Sequence, residues 1–124
     1  MSRRTLFALM GALVCSGLTV LAHHSAAATY DAARPITITG RVAAFAFRNP
    51  HCFIYIDVGS GPFEGRRYVV EMSSAGVLGS NGWSASTLKA GDDIRITVLP
   101  ARTGRAAGLC RECALRINGK VTKA

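Results

Sequence analysis

Ile36-Thr37-Ile38-Thr39-Gly40-Arg41-Val42-Ala43-Ala44-Phe45-Ala46-Phe47 is the stretch whose reading decides the fold. Its β-branched residues and two-residue alternation predict one long strand, with Ile36, Ile38, Val42 and Ala44 on one face and Phe45 and Phe47 on the other. Gly40 interrupts the pattern. A glycine inside a strand marks a bulge or a close backbone approach, and a bend here would let one long strand serve two sides of a barrel.

The rest of the chain continues in short strands separated by turn chemistry. Asn49-Pro50 ends the first run, and His51 to Val58 follows, with Cys52, Ile54, Ile56 and Val58 as an apolar stripe and His51, Phe53, Tyr55 and Asp57 facing the other way. Gly59-Ser60-Gly61-Pro62 leads into a third strand, Arg67 to Ser73, where Tyr68, Val70 and Met72 alternate with Arg67, Val69 and Glu71. Between Ser74 and Ala90 the period of two is lost. Ser74 and Ser84 each suit the cap of a short helical turn, and Trp83 is large enough to plug a barrel end. Leu88-Lys89-Ala90-Gly91-Asp92-Asp93 is a turn feeding a fourth strand through Ile94, Ile96 and Val98. Pro100 to Gly108 reads as a basic loop before a last strand with Leu109, Cys113, Leu115 and Ile117 on one face, and Asn118-Gly119 as a tight hairpin turn into the tail. Five strands, a bent first one, and a helical or irregular insert between the third and fourth predict an all-β fold, a small OB-fold-like barrel. A small β-sandwich is the competing arrangement.

Ahead of this domain, Arg3 and Arg4 precede an apolar run from Leu6 to Ala22 that closes on Val20-Leu21-Ala22. A basic end, an apolar centre and small residues before the cut describe a secretory signal peptide. The run is about long enough for a spanning helix of roughly 17–25 residues, so an uncut anchor is the alternative, but the Gly, Ser and Thr residues in its second half favour cleavage. Leu13 and Val14 before Cys15 argue against a lipid attachment site there. Ser2-Arg3-Arg4-Thr5-Leu6-Phe7 also fits the loose twin-arginine pattern. The predicted division is a signal at 1–22, an N-terminal leader at 23–34 and a single barrel domain at 35–124. A cut after Ala26, Ala27 or Ala28 competes with one after Ala22 and would discard His23 and His24. The expected location is periplasmic or secreted, with no membrane span once the signal is removed.

Charge constrains the partners. The 124-residue chain carries a formal +8, and loss of Arg3 and Arg4 with the signal leaves +6. The basic residues are scattered from Arg34 to Lys123 instead of clustering, as on a solvated surface, which disfavours nucleic acid as the ligand.

Several short motifs occur together: His23-His24-Ser25, Arg34-Pro35 leading to Ile38-Thr39-Gly40-Arg41-Val42, Asn49-Pro50-His51, Gly82-Trp83, and Leu88-Lys89-Ala90-Gly91-Asp92. In this order and spacing the chain resembles a family of small exported bacterial proteins of unknown function. The resemblance covers essentially the whole mature chain and implies export and a small β-barrel, with no activity, substrate or cofactor to carry over. Cys52, Cys110 and Cys113 fall outside that pattern.

Three groups of residues carry candidate chemistry. A cut after Ala22 would leave His23 at the N-terminus, where its amine, its ring and His24 are nitrogen donors suited to Cu(II), with His51 as a further ligand. The bland alternative is a pair of polar residues in a leader, with His51 at a turn. Cys110-Arg111-Glu112-Cys113 has the two-residue gap of redox and zinc motifs, but neither a second pair nor a following histidine accompanies it. On an extended strand those two cysteines would face opposite ways, so they pair only if the chain turns between them. If it stays extended, Cys113 and Cys52 are the alternative disulfide. Finally, Phe53, Tyr55 and Arg67 lie on the second- and third-strand face that OB-folds use for ligands. No glycine-flanked nucleophile or spaced carboxylate pair suggests catalysis. The leading expectation is a non-enzymatic binding or accessory module for a small ligand or an exported protein partner. A copper-binding protein, and a thiol-disulfide or metal-linked role for Cys110 and Cys113, are the alternatives.

Overall fold

The computed structural model describes residues 26–124. The predicted signal segment, His23 and His24 lie outside the described residues. Seven strands follow in order: β1 (Ile36–Ala46), β2 (Phe53–Ser60), β3 (Arg67–Glu71), β4 (Asp93–Pro100), β5 (Ala107–Leu109), β6 (Ala114–Ile117) and β7 (Lys120–Lys123). One helix, α1 (Ala75–Ser80), lies between β3 and β4. The Ser74 hydroxyl caps it by accepting the Val77 N–H at 3.2 Å.

The strands run β1-β2-β3-β5-β4, and β4 pairs back onto β1, which closes a five-stranded barrel. All of these pairs are antiparallel except β3 with β5. This closed strand order, with the helix after β3, is the OB-fold arrangement read from the sequence.

Closure depends on β1. Residues 36–41 pair with β4, while residues 39–46 pair with β2, so the two partners overlap at Thr39-Gly40-Arg41. The register shifts at Thr39/Gly40 and again between Val42 and Ala44. At Gly40 a Cβ would stand 2.1 Å from the Asp57 carbonyl oxygen, so only glycine lets β2 approach this closely. The second shift corrects one sequence expectation. It reverses the inward phase, so Ala44 is exposed whereas Phe45 and Phe47 pack against the core.

The expected inward stripes are the observed core. Cys52, Ile54, Ile56 and Val58 of β2, Tyr68, Val70 and Met72 of β3, and Ile94, Ile96 and Val98 of β4 are all buried. Trp83 is buried at one end, edge-on to Phe45 at 5.8 Å, and its indole N–H donates to the Lys123 carbonyl at 2.6 Å. Among the described residues no helix is long and apolar enough to cross a membrane.

The predicted last strand proves to be two. β4 offers one edge to both: Leu99 and Pro100 pair with β5, while Ile94, Arg95 and Ile96 pair with β6. The chain turns between them, with Glu112 at a φ of 52°. That turn brings the Cys110 and Cys113 α-carbons to 5.2 Å, and the two form a disulfide. The Cys113–Cys52 alternative is thereby overturned; Cys52 stays a buried free thiol whose Sγ–H donates to the Arg48 carbonyl at 3.4 Å.

The N-terminal end of the described chain is also part of the packing. Tyr30 bridges Ala101, the Asp31 N–H donates to Pro100, and the Arg102 N–H donates to Thr29, each hydrogen bond at 2.9 Å. Residues expected only as a leader are thus docked on the outside of the barrel.

Candidate functional site

The outer faces of β2 and β3 carry two rows of side chains. Register places Phe53 opposite Glu71, Tyr55 opposite Val69 and Asp57 opposite Arg67. β5 joins on the far side, with Val69 beside Ala107 and Glu71 beside Leu109. Tyr30 lies over this edge, where it forms a second apolar cluster with Ala101, Ala107 and Leu109 and against Val69 and Leu99.

Above the cluster the polar groups converge. The Tyr30 hydroxyl donates to Glu71 Oε2 at 2.5 Å. Glu71 Oε1 lies 3.5 Å from Nδ1 of His51, and the same nitrogen is 3.3 Å from the Met72 carbonyl. A carbonyl and a carboxylate oxygen both accept, so Nδ1 is the nitrogen that carries the proton. Nε2 then holds the free lone pair of the neutral ring. Burial raises the Tyr30 phenol, the hydrogen bond to Glu71 adds to this, Arg105 partly offsets it, and the pKa is pushed up to about 12. The phenol therefore holds its proton and remains the donor to Glu71.

Two adjoining hollows flank this chain of contacts. One, of about 430 Å³, is lined by Ala26, Tyr30, His51, Glu71, Arg105 and Arg111 among others. The other, of about 220 Å³, shares Tyr30, Glu71 and Arg105 and adds Phe53, Val69 and Ala107. Together they make a concave surface with an apolar floor, a carboxylate, an imidazole and two exposed guanidinium groups. Its parts come from the docked N-terminal segment, the β1–β2 connection, β3, and the residues on either side of β5.

The residues singled out in the sequence divide around this surface. Phe53 lines it, under the Arg48 guanidinium at 5.3 Å from the ring centre. Tyr55 sits half-buried in the next cross-strand position. Arg67 is turned to Asp57, to which it donates from Nε at 2.9 Å and from Nη2 at 3.1 Å. This two-pronged bond also holds the Asp57 carboxyl below its ordinary range. Phe53 shares its hollow with Tyr30 and Arg105, and Arg67 does not line it. His51 lies within the concavity, and His23 and His24 lie outside the described residues. Cys110 and Cys113 staple the turn after β5, and Cys52 is in the core.

Sequence reasoning missed Tyr30, Glu71, Arg105 and Arg111. Glu71 was legible as an outward residue of β3. Tyr30 and Arg105 stand in segments without periodicity, and only the docking of those segments brings them to Glu71.

A family model matches residues 11–112 of the chain. The chain belongs to DUF6152, a family of unknown function. No curated protein and no solved structure matches it. Membership in DUF6152 extends over the barrel up to the disulfide turn, so the concave surface and all of its polar groups fall within the family's span.

Proposed function

We propose that this DUF6152 protein is an exported, non-enzymatic binding module whose site is the concave surface over β2, β3 and β5. One observation carries the reading: Tyr30, His51, Glu71 and Arg105, from four separate segments, line one hollow above apolar side chains. Binding sites commonly combine an apolar surface with a few fixed polar groups, and here Tyr30 and Glu71 fix each other. The Ser74 and Ser84 hydroxyls are engaged in local structure. Ser74 caps α1, and Ser84 bonds Ser86 at 2.9 Å. The disulfide between Cys110 and Cys113 is read as a staple of its turn, and export rests on the basic-apolar start of the chain.

The test is amide chemical-shift mapping of the barrel with a panel of small carboxylates, phosphates and sugars, repeated with Phe53→Ala and Arg105→Ala. Shifts grouped on His51, Phe53, Glu71 and Arg105, and weakened in both variants, are the expected result. Shifts grouped instead around Arg95 and Arg116 on β4 and β6 would place the site elsewhere and overturn the assignment.

A metal ion, Cu(II) foremost, is a second reading with an observation of its own: Ala26, two residues after His24, lines the same hollow as His51.

A further inference from the structure

We propose that the concave surface takes a small organic acid with one carboxylate and a flat apolar body. Arg105 and Arg111 hold the carboxylate, and Phe53, Val69 and Ala107 receive the body. The inference rests on this surface being the protein's binding site, and it names the chemical class of the ligand.

Pairing of β5 with β3 places the two guanidinium groups. The pairing is prolonged at both ends of β5, where the Val69 N–H donates to the Ala106 carbonyl at 3.0 Å and the Cys110 N–H donates to the Glu71 carbonyl at 2.8 Å. Arg105 and Arg111 are the next residues outward, so they bracket β5 and line one hollow with Glu71. The Cys110–Cys113 disulfide closes the turn that carries Arg111. Arg34, Arg41, Arg67 and Arg102 each face an aspartate, whereas among the described residues neither Arg105 nor Arg111 forms an ion pair. Two cationic groups on one concave surface without a counter-ion attract an anion, and the planar donor fork of a guanidinium matches a carboxylate.

Charge sets how many negative groups the ligand carries. Glu71 is the one carboxylate lining the hollow, and its oxygens are engaged by the Tyr30 hydroxyl and by Nδ1 of His51. With the His51 ring neutral, the lining has two positive charges and one negative, which a single carboxylate balances. A phosphate monoester, at about −2, would exceed that balance and set its second charge beside Glu71.

The adjoining hollow sets the rest of the molecule. It shares Arg105 with the first and continues over Phe53, Val69 and Ala107, so an acid held at Arg105 extends its body across them. At about 220 Å³ it is smaller than the roughly 300–1,000 Å³ of a drug-sized pocket, which limits the body to a group on the order of one ring. A flat ring also suits contact with the Phe53 side chain.

Phenylacetate is the probe, with phenylacetamide, acetate and phenyl phosphate for comparison. Each is titrated at pH 8 and low salt into the exported protein and followed by its amide and arginine Nε–H chemical shifts. Arg105→Ala, Arg111→Ala, Phe53→Ala and Glu71→Gln accompany it, with Arg95→Ala on β4 as the control, and the ligand-free spectrum of each checks the fold. Phenylacetate is expected to shift His51, Phe53, Glu71 and Arg105 and to bind about tenfold or more tighter than either phenylacetamide or acetate. Both Arg105→Ala and Arg111→Ala should lose most of the advantage over the amide, and Phe53→Ala most of that over acetate, while Arg95→Ala changes neither. Glu71→Gln should raise the affinity for phenyl phosphate relative to phenylacetate. Equal binding of phenylacetate and phenylacetamide, tighter binding of phenyl phosphate by the unsubstituted protein, or full affinity in both arginine variants would overturn the proposal. If the neutral probe or the phosphate still shifts the same residues, the binding module stands and only the class of its ligand is wrong. If no probe, sugars included, shifts them, the module reading fails too.

Discussion

Two buried phenols show how single residues hold this barrel and its site together. Tyr30 is 6% exposed and Tyr68 is fully buried, and burial is the largest cause that pushes each pKa up to about 12. The Tyr68 hydroxyl donates to the Ala107 carbonyl at 2.8 Å, beneath the β3–β5 junction that Tyr30 covers from outside. Both phenols must be neutral in the folded state, whereas in the unfolded chain they ionise near pH ~10. The stability they confer is therefore complete below pH ~10 and is lost as the pH rises from there through about 12, on the order of 2 kcal/mol for each tyrosine. Urea unfolding at pH 8, 10 and 11.5 is expected to show this loss, reduced in Tyr30→Phe. Equal stability at all three values would show that neither phenol is shielded.

Among the elements, β1 is the one on which the architecture turns, because it alone pairs with both β2 and β4 to close the barrel. Gly40 permits the crossing. Gly40→Ala would put a methyl carbon 2.1 Å from a backbone oxygen of β2, and neither strand can withdraw without breaking pairs on its other edge. The substitution is expected to cost about 3 kcal/mol or more, read as a lowered midpoint in urea unfolding. Gly59→Ala is the control, since its nearest neighbour would be 3.9 Å away. A Gly40→Ala protein as stable as the control would mean that the strands can part there without penalty.

At the scale of the whole molecule, residues 26–31 join the barrel to whatever precedes them. They cover the apolar cluster around Ala107 and Leu109 and supply the Tyr30 hydroxyl to Glu71. A chain begun at residue 32 is expected to unfold at a lower temperature and to bind a hydrophobic dye at the uncovered surface. It is also expected to lose the oriented tautomer of His51, visible in the nitrogen shifts of its ring. A truncated chain with the full melting temperature and an unaltered His51 ring would show that the segment is only an appendage.

What the sequence determined by itself follows from local chemistry. Alternation on β2, β3 and β4 marked the inward stripes, Gly40 marked the bend, Ser74 the helix cap and Asn118-Gly119 the hairpin, where φ is positive at both residues. Each of these is set by a residue and its near neighbours in the chain, so the pattern is written where it acts. The phase of Ala44, the split of the last strand and the cysteine pairing were decided by the tertiary structure. A register shift against β2, or the sharing of one β4 edge by two short strands, depends on partners far away in the chain. The candidate site is the extreme case. Glu71, His51, Tyr30 and Arg105 have no sequence relation to one another, and they meet only because a closed barrel brings β3, the β1–β2 connection and the β4–β5 loop to one face and docks the N-terminal segment across it.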